Sequence, residues 1–318
     1  MKPVILVLGG VSPALKERLS ESFEAVFYND LEQPAAYLEQ EGGRFSGLFT
    51  NAGVAAPDEI VDQLPNLQVI SSIGVGFEKF NQDKLQPRKI RLSCTPDVLT
   101  DCVADLAMAL VLDCGRRLSA GDRYVRAGHW GQQPFALGRQ VSHKTLGILG
   151  MGRIGLAIAK RAEAFNMTVV YHNRQQRTDC AYEYKDSVAS LAQAADYLVV
   201  AVTGGPATEN LVDAKALEAL GPDGYLINIS RGTVVDEPAL VTALQRGTIA
   251  GAGLDVYVHE PQVPDALKSL ENVVLLPHIG SATQETRQAM ANLAFDNLQH
   301  FYAQGEVLTP VPWAVYDD

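Results

Sequence analysis

The stretch Thr145-Leu-Gly-Ile-Leu-Gly150-Met-Gly152-Arg-Ile-Gly155 carries three glycines at the spacing G-x-G-x-x-G. An apolar strand pattern opens it, a helical pattern over 153–165 follows, and a second strand pattern, Thr168–Tyr171, arrives at the distance typical of a β-α-β unit. In such a unit the glycines permit a tight turn, close approach of a pyrophosphate, and close packing of helix on strand. The alternative is a plain strand–turn–helix corner. We predict a dinucleotide-binding loop formed by Gly150, Met151, Gly152, Arg153, Ile154 and Gly155.

The residues that follow the second strand indicate which dinucleotide is bound. An NAD site usually has an acidic residue there, which hydrogen-bonds the ribose 2′-hydroxyl. This chain has Asn173-Arg174-Gln-Gln-Arg177 instead, with no carboxylate to repel a 2′-phosphate. A guanidinium suits a phosphate well. We therefore predict NADP(H) rather than NAD(H), with Asn173, Arg174 and Arg177 at the 2′-phosphate; the alternative is that both arginines are solvated loop charges.

The same strand–helix alternation runs along the whole chain of 318 residues, a length that predicts about two domains. Strands that alternate with helices indicate an α/β fold with parallel sheets covered on both faces. One series of strands ends near Pro96, and a second follows the apolar helical pattern Val98–Cys114. The predicted strands are Val4–Leu8, Gly47–Thr50, Val69–Ser72, Thr145–Leu149, Thr168–Tyr171, Tyr197–Val202, Tyr225–Ile229, Gly251–Leu254 and Val273–Leu276.

Composition excludes several other classes of protein. Hydrophobic residues make up 47% and charged residues 20%, as in ordinary globular proteins. The net charge of −11 disfavours nucleic-acid binding. The apolar runs are too short for a membrane span, and the amino terminus is typical of a first strand rather than a signal peptide. The four cysteines lack metal or disulfide spacing. We expect a cytoplasmic protein with no metal and no membrane or nucleic-acid partner.

Three later segments each place a polar residue just past a predicted strand. The residues are Arg231 after Tyr225–Ile229, Glu260 after Gly251–Leu254, and His278 after Val273–Leu276. Ligands of open α/β sheets bind at the carboxyl ends of the strands. Reduction of a 2-keto acid needs a cation for the carboxylate, a proton donor for the keto oxygen, and a carboxylate that orients the donor. Arg231, His278 and Glu260 have these chemistries, although each alone also fits a turn, a cap or a loop charge.

Together these motifs resemble the D-isomer-specific 2-hydroxyacid dehydrogenase family over nearly the full chain. The matching segments are 95–105, 150–155, Asn228-Ile-Ser-Arg-Gly232, Leu254-Asp-Val-Tyr-Val-His-Glu-Pro261 and Pro277-His-Ile-Gly-Ser-Ala-Thr283. The resemblance implies that Arg231, Glu260 and His278 are the catalytic residues, with His278 as acid and base. It further implies that the N–H groups of Val75 and Gly76, with Arg231, bind the substrate carboxylate. The cofactor contacts that it implies include Thr100, Thr203, Ile229 and Asp255.

The resemblance also implies how the domains are arranged. A doubly wound Rossmann domain, residues 98–282, would be inserted into a flavodoxin-like substrate domain made of residues 1–97 and 283–318. It implies a homodimer, in which the segment Tyr124–Phe135 with Trp130 reaches toward the partner's site. The alternative for Trp130 is a packed surface aromatic.

Two departures from the family pattern refine the expected function. Asn173-Arg174 resembles the NADPH-using glyoxylate, hydroxypyruvate and hydroxyphenylpyruvate reductases, and Thr203 stands where many members have proline. We therefore expect an NADPH-dependent reductase that converts small 2-keto acids to D-2-hydroxy acids. Two alternatives remain: an NAD-linked 2-hydroxyacid dehydrogenase, and a non-catalytic protein that senses dinucleotides. The sequence does not identify the particular 2-keto acid.

Overall fold

A computed structural model describes residues 2–316. The chain divides into two compact units, each with its own parallel sheet. The first unit contains the residues up to Leu99 together with those from Thr283 onward, and the second unit is Thr100–Ala282. The first boundary between the units lies at 99/100, two residues after the 97/98 division of the sequence analysis. The second boundary lies at 282/283 in both divisions.

The first unit is built on five parallel strands with the spatial order β2-β1-β3-β4-β5. The strands are β1 (Val4–Val7), β2 (Glu24–Phe27), β3 (Gly47–Asn51), β4 (Val69–Ile73) and β5 (Arg91–Ser93). The order 2-1-3-4-5 is that of flavodoxin-like folds. Alternate residues of β1 enter different clusters, Ile5 and Val7 on one face and Leu6 on the other, so helices cover both faces of the sheet.

Helices from both ends of the chain cover this sheet. They are α1 (Pro13–Ser22), α2 (Pro34–Glu41), α3 (Asp58–Asp62), α4 (Gln82–Leu85) and, numbered last in the chain, α12 (Gln284–Gln304). Helix α12 packs on β4, where the buried Ser71 hydroxyl donates to the Ala294 carbonyl at 2.7 Å. The Phe23 and Phe295 rings meet edge to face at 5.8 Å. The last long helix is therefore part of the first unit.

The second unit contains seven parallel strands in the order β12-β11-β10-β9-β6-β7-β8. The strands are β6 (Thr145–Leu149), β7 (Thr168–His172), β8 (Glu183–Tyr184), β9 (Tyr197–Val200), β10 (Tyr225–Asn228), β11 (Gly251–Leu254) and β12 (Val273–Leu275). Counted from β6, the order is that of a Rossmann fold with one further strand beside β11. Every residue of β9 is at most 1% exposed, as a central parallel strand requires.

Helices cover both faces of this second sheet and set the positions of the loops at its edge. They are α5 (Thr100–Arg116), α7 (Arg153–Ala164), α8 (Val188–Ala194), α9 (Ala214–Leu220), α10 (Glu237–Arg246) and α11 (Asp265–Lys268). A further helix, α6 (Leu118–Arg126), has no buried residue and contacts α5. Helix α5 packs against α7 and against the strands at the β12 side. The two sheets and their helices confirm the predicted α/β fold class.

The sequence-based interpretation missed three strands, all of which lie at sheet edges. Strands β2, β5 and β8 are two to four residues long. An edge strand is paired on one side only, so it needs no long apolar run and its sequence signal is weak. The predicted strands Tyr197–Val202 and Tyr225–Ile229 end earlier in the structure, because their last residues begin the loops of the candidate site. Within residues 2–316, no helix is both long and apolar enough to cross a membrane.

Candidate active site

The glycine loop between β6 and α7 has the geometry that a dinucleotide requires. Gly150 has φ +103°, and a Cβ there would lie 2.7 Å from the Ala201 carbonyl carbon. A Cβ on Gly155 would lie 2.2 Å from the Gly150 oxygen, whereas one on Gly152 would meet nothing within 4 Å. Gly152 is the N-cap residue of α7 and has no side chain to accept a hydrogen bond. The N–H groups of the first turn of α7 are therefore not capped by a side chain and can bind an anion. The loop fits a pyrophosphate.

The residues after β7 connect to this loop through Met151. The Asn173 Oδ1 accepts from the Met151 N–H at 2.6 Å, and the Arg177 Nη1 donates to the Met151 carbonyl at 2.9 Å. Arg177 also pairs with Asp179. Arg174 is exposed and makes no hydrogen bond or ion pair with any of residues 2–316. Of the three predicted 2′-phosphate residues, Arg174 thus presents an unengaged guanidinium, while Asn173 and Arg177 also hold the glycine loop.

Arg231 is presented by a tight turn that Asn228 organises at the end of β10. The Asn228 Oδ1 accepts from the N–H and the hydroxyl of Ser230, and its Nδ2 donates to the Arg231 carbonyl at 2.9 Å. The guanidinium donates through Nη1 to the Ser230 carbonyl at 2.7 Å. Gly204 lies against the Arg231 side chain so closely that a Cβ on Gly204 would be 2.6 Å from Cγ. The turn and this glycine together fix where the Arg231 side chain lies.

Glu260 and His278 form a hydrogen-bonded pair. The Glu260 Oε2 lies 2.7 Å from the His278 Nδ1, and its Oε1 accepts from the Tyr257 N–H at 3.0 Å. Burial raises the pKa of the Glu260 carboxyl, but the hydrogen bonds from His278 and Tyr257 and the charge of Arg231 outweigh it, so that pKa lies below its ordinary value. Glu260 is therefore a carboxylate at neutral pH and only accepts. This assigns the proton to Nδ1 of His278 and leaves Nε2 for a substrate.

Asp255 holds the backbone that carries His278. Its carboxylate is buried and accepts from the N–H groups of Ile279, at 2.7 Å, and Gly280, at 2.8 Å. His278 itself has φ +55°, a left-handed conformation that is rare for a residue other than glycine. The two hydrogen bonds directly after His278 stabilise that conformation. Asp255 is thus a positioning residue for His278, in addition to the cofactor contact that the family resemblance implies.

Tyr257 also positions the site from the loop after β11. Burial and the nearby Asp255 charge raise the pKa of Tyr257 to about 12, so its hydroxyl remains protonated. The hydroxyl donates to the Leu276 carbonyl at 2.9 Å, two residues before His278. A Cβ on Gly232 would lie 1.9 Å from the Tyr257 carbonyl carbon, so only glycine allows the backbone after Arg231 to approach this loop. The loops that carry Arg231, Glu260 and His278 therefore pack directly on one another.

The predicted carboxylate-binding loop lies in the first unit, after β4. Gly74 has φ +123°, and the side-chain hydroxyl and backbone N–H of Thr95 hold its N–H and carbonyl in place. The N–H groups of Val75 and Gly76 donate to no acceptor among residues 2–316. Unused donors on an anchored loop are suited to an anion.

The remaining predicted cofactor residues lie in the second unit. Thr100 is half-buried at the first position of α5. Ile229 is 8% exposed and directly follows β10, and Thr203 is exposed with its carbonyl bonded to the Thr208 hydroxyl at 2.8 Å. Among the described residues, no group of three or more His, Cys, Asp or Glu side chains is placed to hold a metal ion.

Sequence reasoning missed four residues that shape the site, namely Asn228, Gly204, Tyr257 and Asp179. Asn228 carried a usable signal, because asparagine two residues before serine is typical of a side-chain–backbone turn. Asp179, two residues after Arg177, also gave a visible charge pairing. Gly204 and Tyr257 act through contacts with segments distant in sequence, which no local pattern reveals.

Comparison with known proteins agrees with this geometry. Residues 108–280 match the model of the NAD binding domain of the D-isomer specific 2-hydroxyacid dehydrogenases, and this match covers more than half of the chain. The chain belongs to the D-isomer-specific 2-hydroxyacid dehydrogenase family. Individual members of the family match this chain over both of its units.

Among them, the 2-ketogluconate reductase of Gluconobacter oxydans is 46% identical over 310 residues, covering 98% of this chain and 99% of that protein. Glyoxylate/hydroxypyruvate reductase A of Arabidopsis thaliana is 44% identical over 307 residues, covering 96% of this chain and 98% of that protein. Of the solved structures, the NADPH-dependent glyoxylate/hydroxypyruvate reductase of Sinorhizobium meliloti, in complex with NADP and malonate, superposes with a TM-score of 0.94 at 42% identity, covering 100% of this chain and 99% of that one.

Proposed function

We propose that this dehydrogenase-family protein is an NADPH-dependent reductase of small 2-keto acids that yields D-2-hydroxy acids. The observation that carries the proposal is the joined arrangement of Arg231, Glu260 and His278 at the strand ends of a dinucleotide-binding sheet, with the Glu260 Oε2 2.7 Å from the His278 Nδ1. The relatives described above are named as reductases of this kind, which supports the substrate class. Glyoxylate, hydroxypyruvate and phenylpyruvate are the candidate substrates.

Each residue of this set has a distinct chemical role in the proposed reaction. When bound, NADPH supplies a hydride for the keto carbon. Arg231 binds the substrate carboxylate through its guanidinium. His278 delivers a proton from Nε2 to the keto oxygen as negative charge develops there. Glu260 keeps the imidazole oriented and stabilises the protonated ring that precedes the transfer.

The residues of the second unit fit NADP(H) on two grounds. The glycine loop offers an open face at Gly152 and an uncapped helix terminus for the pyrophosphate. The exposed Arg174 lies in the segment that follows β7, where an acidic residue would otherwise select NAD(H). No carboxylate occurs between Tyr171 and Arg177 to repel a 2′-phosphate.

A steady-state assay tests the proposal. NADPH and NADH consumption are measured side by side with glyoxylate, hydroxypyruvate, phenylpyruvate and 2-ketogluconate. We expect kcat/KM with NADPH to exceed that with NADH by at least about tenfold, as a charge-assisted phosphate contact provides. A preference for NADH would favour the NAD-linked alternative. Tight dinucleotide binding without turnover of any keto acid would favour a sensing protein.

We further propose that the enzyme is a homodimer formed through the segment around α6. Large apolar side chains are unusually exposed there: Leu118 is 55% exposed, Val125 52%, Trp130 79%, Phe135 39% and Leu137 95%. Large apolar side chains that are exposed close together in sequence fit a protein–protein contact. The family resemblance supports a second copy of this chain as the partner.

Leu137→Asp is expected to convert the dimer to a monomer, because it places a charge on the most exposed of the apolar side chains proposed to form the interface. Leu137 is almost fully exposed in the single chain. The substitution should therefore leave the thermal stability of the monomer unchanged. Light scattering coupled to size-exclusion chromatography measures the mass. Leu308→Asp is the matched control, a 48% exposed leucine in the first unit. A wild-type monomer, or a Leu137→Asp dimer, contradicts the assignment.

A further inference from the structure

A carboxylate already occupies the guanidinium of Arg177 in the segment proposed to bind the 2′-phosphate. The Asp179 Oδ1 accepts from Nε at 2.9 Å, and its Oδ2 accepts from Nη2 at 2.5 Å. Nη1 is held by the Met151 carbonyl at 2.9 Å. This is a bidentate pair in which the edge of the guanidinium that matches two anionic oxygens is filled by a side chain of the protein itself.

Both groups of the pair are ionised at neutral pH. The hydrogen bond with Asp179 raises the pKa of Arg177, and the same bond lowers the pKa of Asp179. The pair therefore has no net charge. The neighbouring Lys185 is likewise paired, with Glu183 at 2.7 Å. The unpaired positive charge of this segment is that of Arg174.

A 2′-phosphate and Asp179 need the same donors. A phosphate, like a carboxylate, is bound best by two N–H groups of one guanidinium edge. The side chain of Asp179 is 68% exposed, whereas that of Arg177 is 28% exposed and is anchored to the glycine loop. Exposed ion pairs are weak, so this pair can open without disturbing the fold.

We propose that Asp179 is a specificity-determining residue that competes with the 2′-phosphate of NADP(H) for Arg177 and so limits the preference over NAD(H). The inference rests on the proposed function, since it concerns the same dinucleotide site. It goes beyond the sequence-based prediction, in which Arg177 was a phosphate ligand without a competitor. In this account Arg174 supplies the preference of the native enzyme, and Arg177 contributes fully only once Asp179 is displaced.

Direct binding tests this inference without any need for turnover. Dissociation constants of NADP⁺ and NAD⁺ are measured by isothermal titration calorimetry for the wild type, Asp179→Asn, and the double variant Arg177→Gln/Asp179→Asn. We expect Asp179→Asn to bind NADP⁺ about three- to tenfold more tightly, as expected for removing one charge at partly screened distance. Binding of NAD⁺ should stay the same, and the gain should vanish in the double variant.

Asp265→Asn is the matched control, because it also removes one exposed carboxylate and one surface ion pair, with Lys268, in the same unit. It should leave both dissociation constants unchanged. An unchanged or weaker affinity of Asp179→Asn for NADP⁺ would overturn the inference, as would a gain that persists without Arg177. Failure of the proposed function gives a different result. The wild type would then prefer NAD⁺ or would bind neither dinucleotide. Binding of neither dinucleotide overturns both the proposed function and this inference.

Discussion

Replacing His278 with asparagine is expected to lower kcat/KM for every 2-keto acid by about 10²–10⁴-fold, the contribution typical of a general acid. Asparagine tolerates a left-handed backbone better than other residues, so it can adopt the φ of +55° at this position. Its side-chain amide cannot donate a proton to the keto oxygen and then recover it. The dissociation constant for NADP⁺ should remain close to the wild-type value, because His278 has no role in the glycine loop.

The structure offers a matched control for this substitution. His143 is also an exposed histidine in the second unit with a left-handed backbone, at φ +66°, and it lies outside the candidate site. His143→Asn should keep wild-type kcat and KM. Steady-state kinetics and calorimetry on both variants separate chemistry from binding. If His278→Asn turns over within tenfold of the wild type, His278 is not the proton donor.

Replacing Arg231 with glutamine is expected to lower kcat/KM for the keto acid by about 10²–10³-fold, in line with the loss of a close, hydrogen-bonded charge pair. Both terms should change, with KM rising because the substrate carboxylate loses its cation, and kcat falling because the keto group is no longer fixed relative to His278. Arg231→Lys retains the charge but not the planar fork, so its activity should be intermediate.

Two comparisons make this prediction specific. Arg246→Gln removes an exposed arginine from the last turn of α10 in the same unit and should leave the kinetics unchanged. The affinity of Arg231→Gln for NADP⁺, measured by calorimetry, should match the wild type. A variant that loses dinucleotide affinity but keeps its KM for the keto acid would show that Arg231 serves the cofactor instead.

The parts of the molecule that were predictable from sequence are those encoded by local pattern. The glycine spacing after Thr145–Leu149 and the alternation of strand and helix patterns predicted two parallel α/β sheets, which the structure confirms. The order of Arg231, Glu260 and His278 behind successive strands predicted their convergence, because carboxyl ends of neighbouring parallel strands lie at one edge. The Glu260–His278 hydrogen bond shows that two of these residues do meet.

Other features depend on contacts between distant segments and left no local signal. Asp255 is identified as a positioning residue only once the N–H groups of Ile279 and Gly280 are seen to face it. The hydrogen bond from Arg177 to the Met151 carbonyl depends on how the segment after β7 folds back toward the glycine loop. Which backbone donors remain unsatisfied is a property of the folded chain, so a sequence pattern cannot assign their partners.

The central claim is that this chain reduces the keto carbon of a 2-keto acid to a D-hydroxy acid with NADPH. The most direct test is to incubate the enzyme with hydroxypyruvate and limiting NADPH, and then to determine the amount and configuration of the glycerate by chiral chromatography. We predict D-glycerate, with one NADPH oxidised for each molecule formed, and an initial rate of formation with His278→Asn lower by about 10²-fold or more. L-glycerate, a racemic product, or no glycerate would contradict the account.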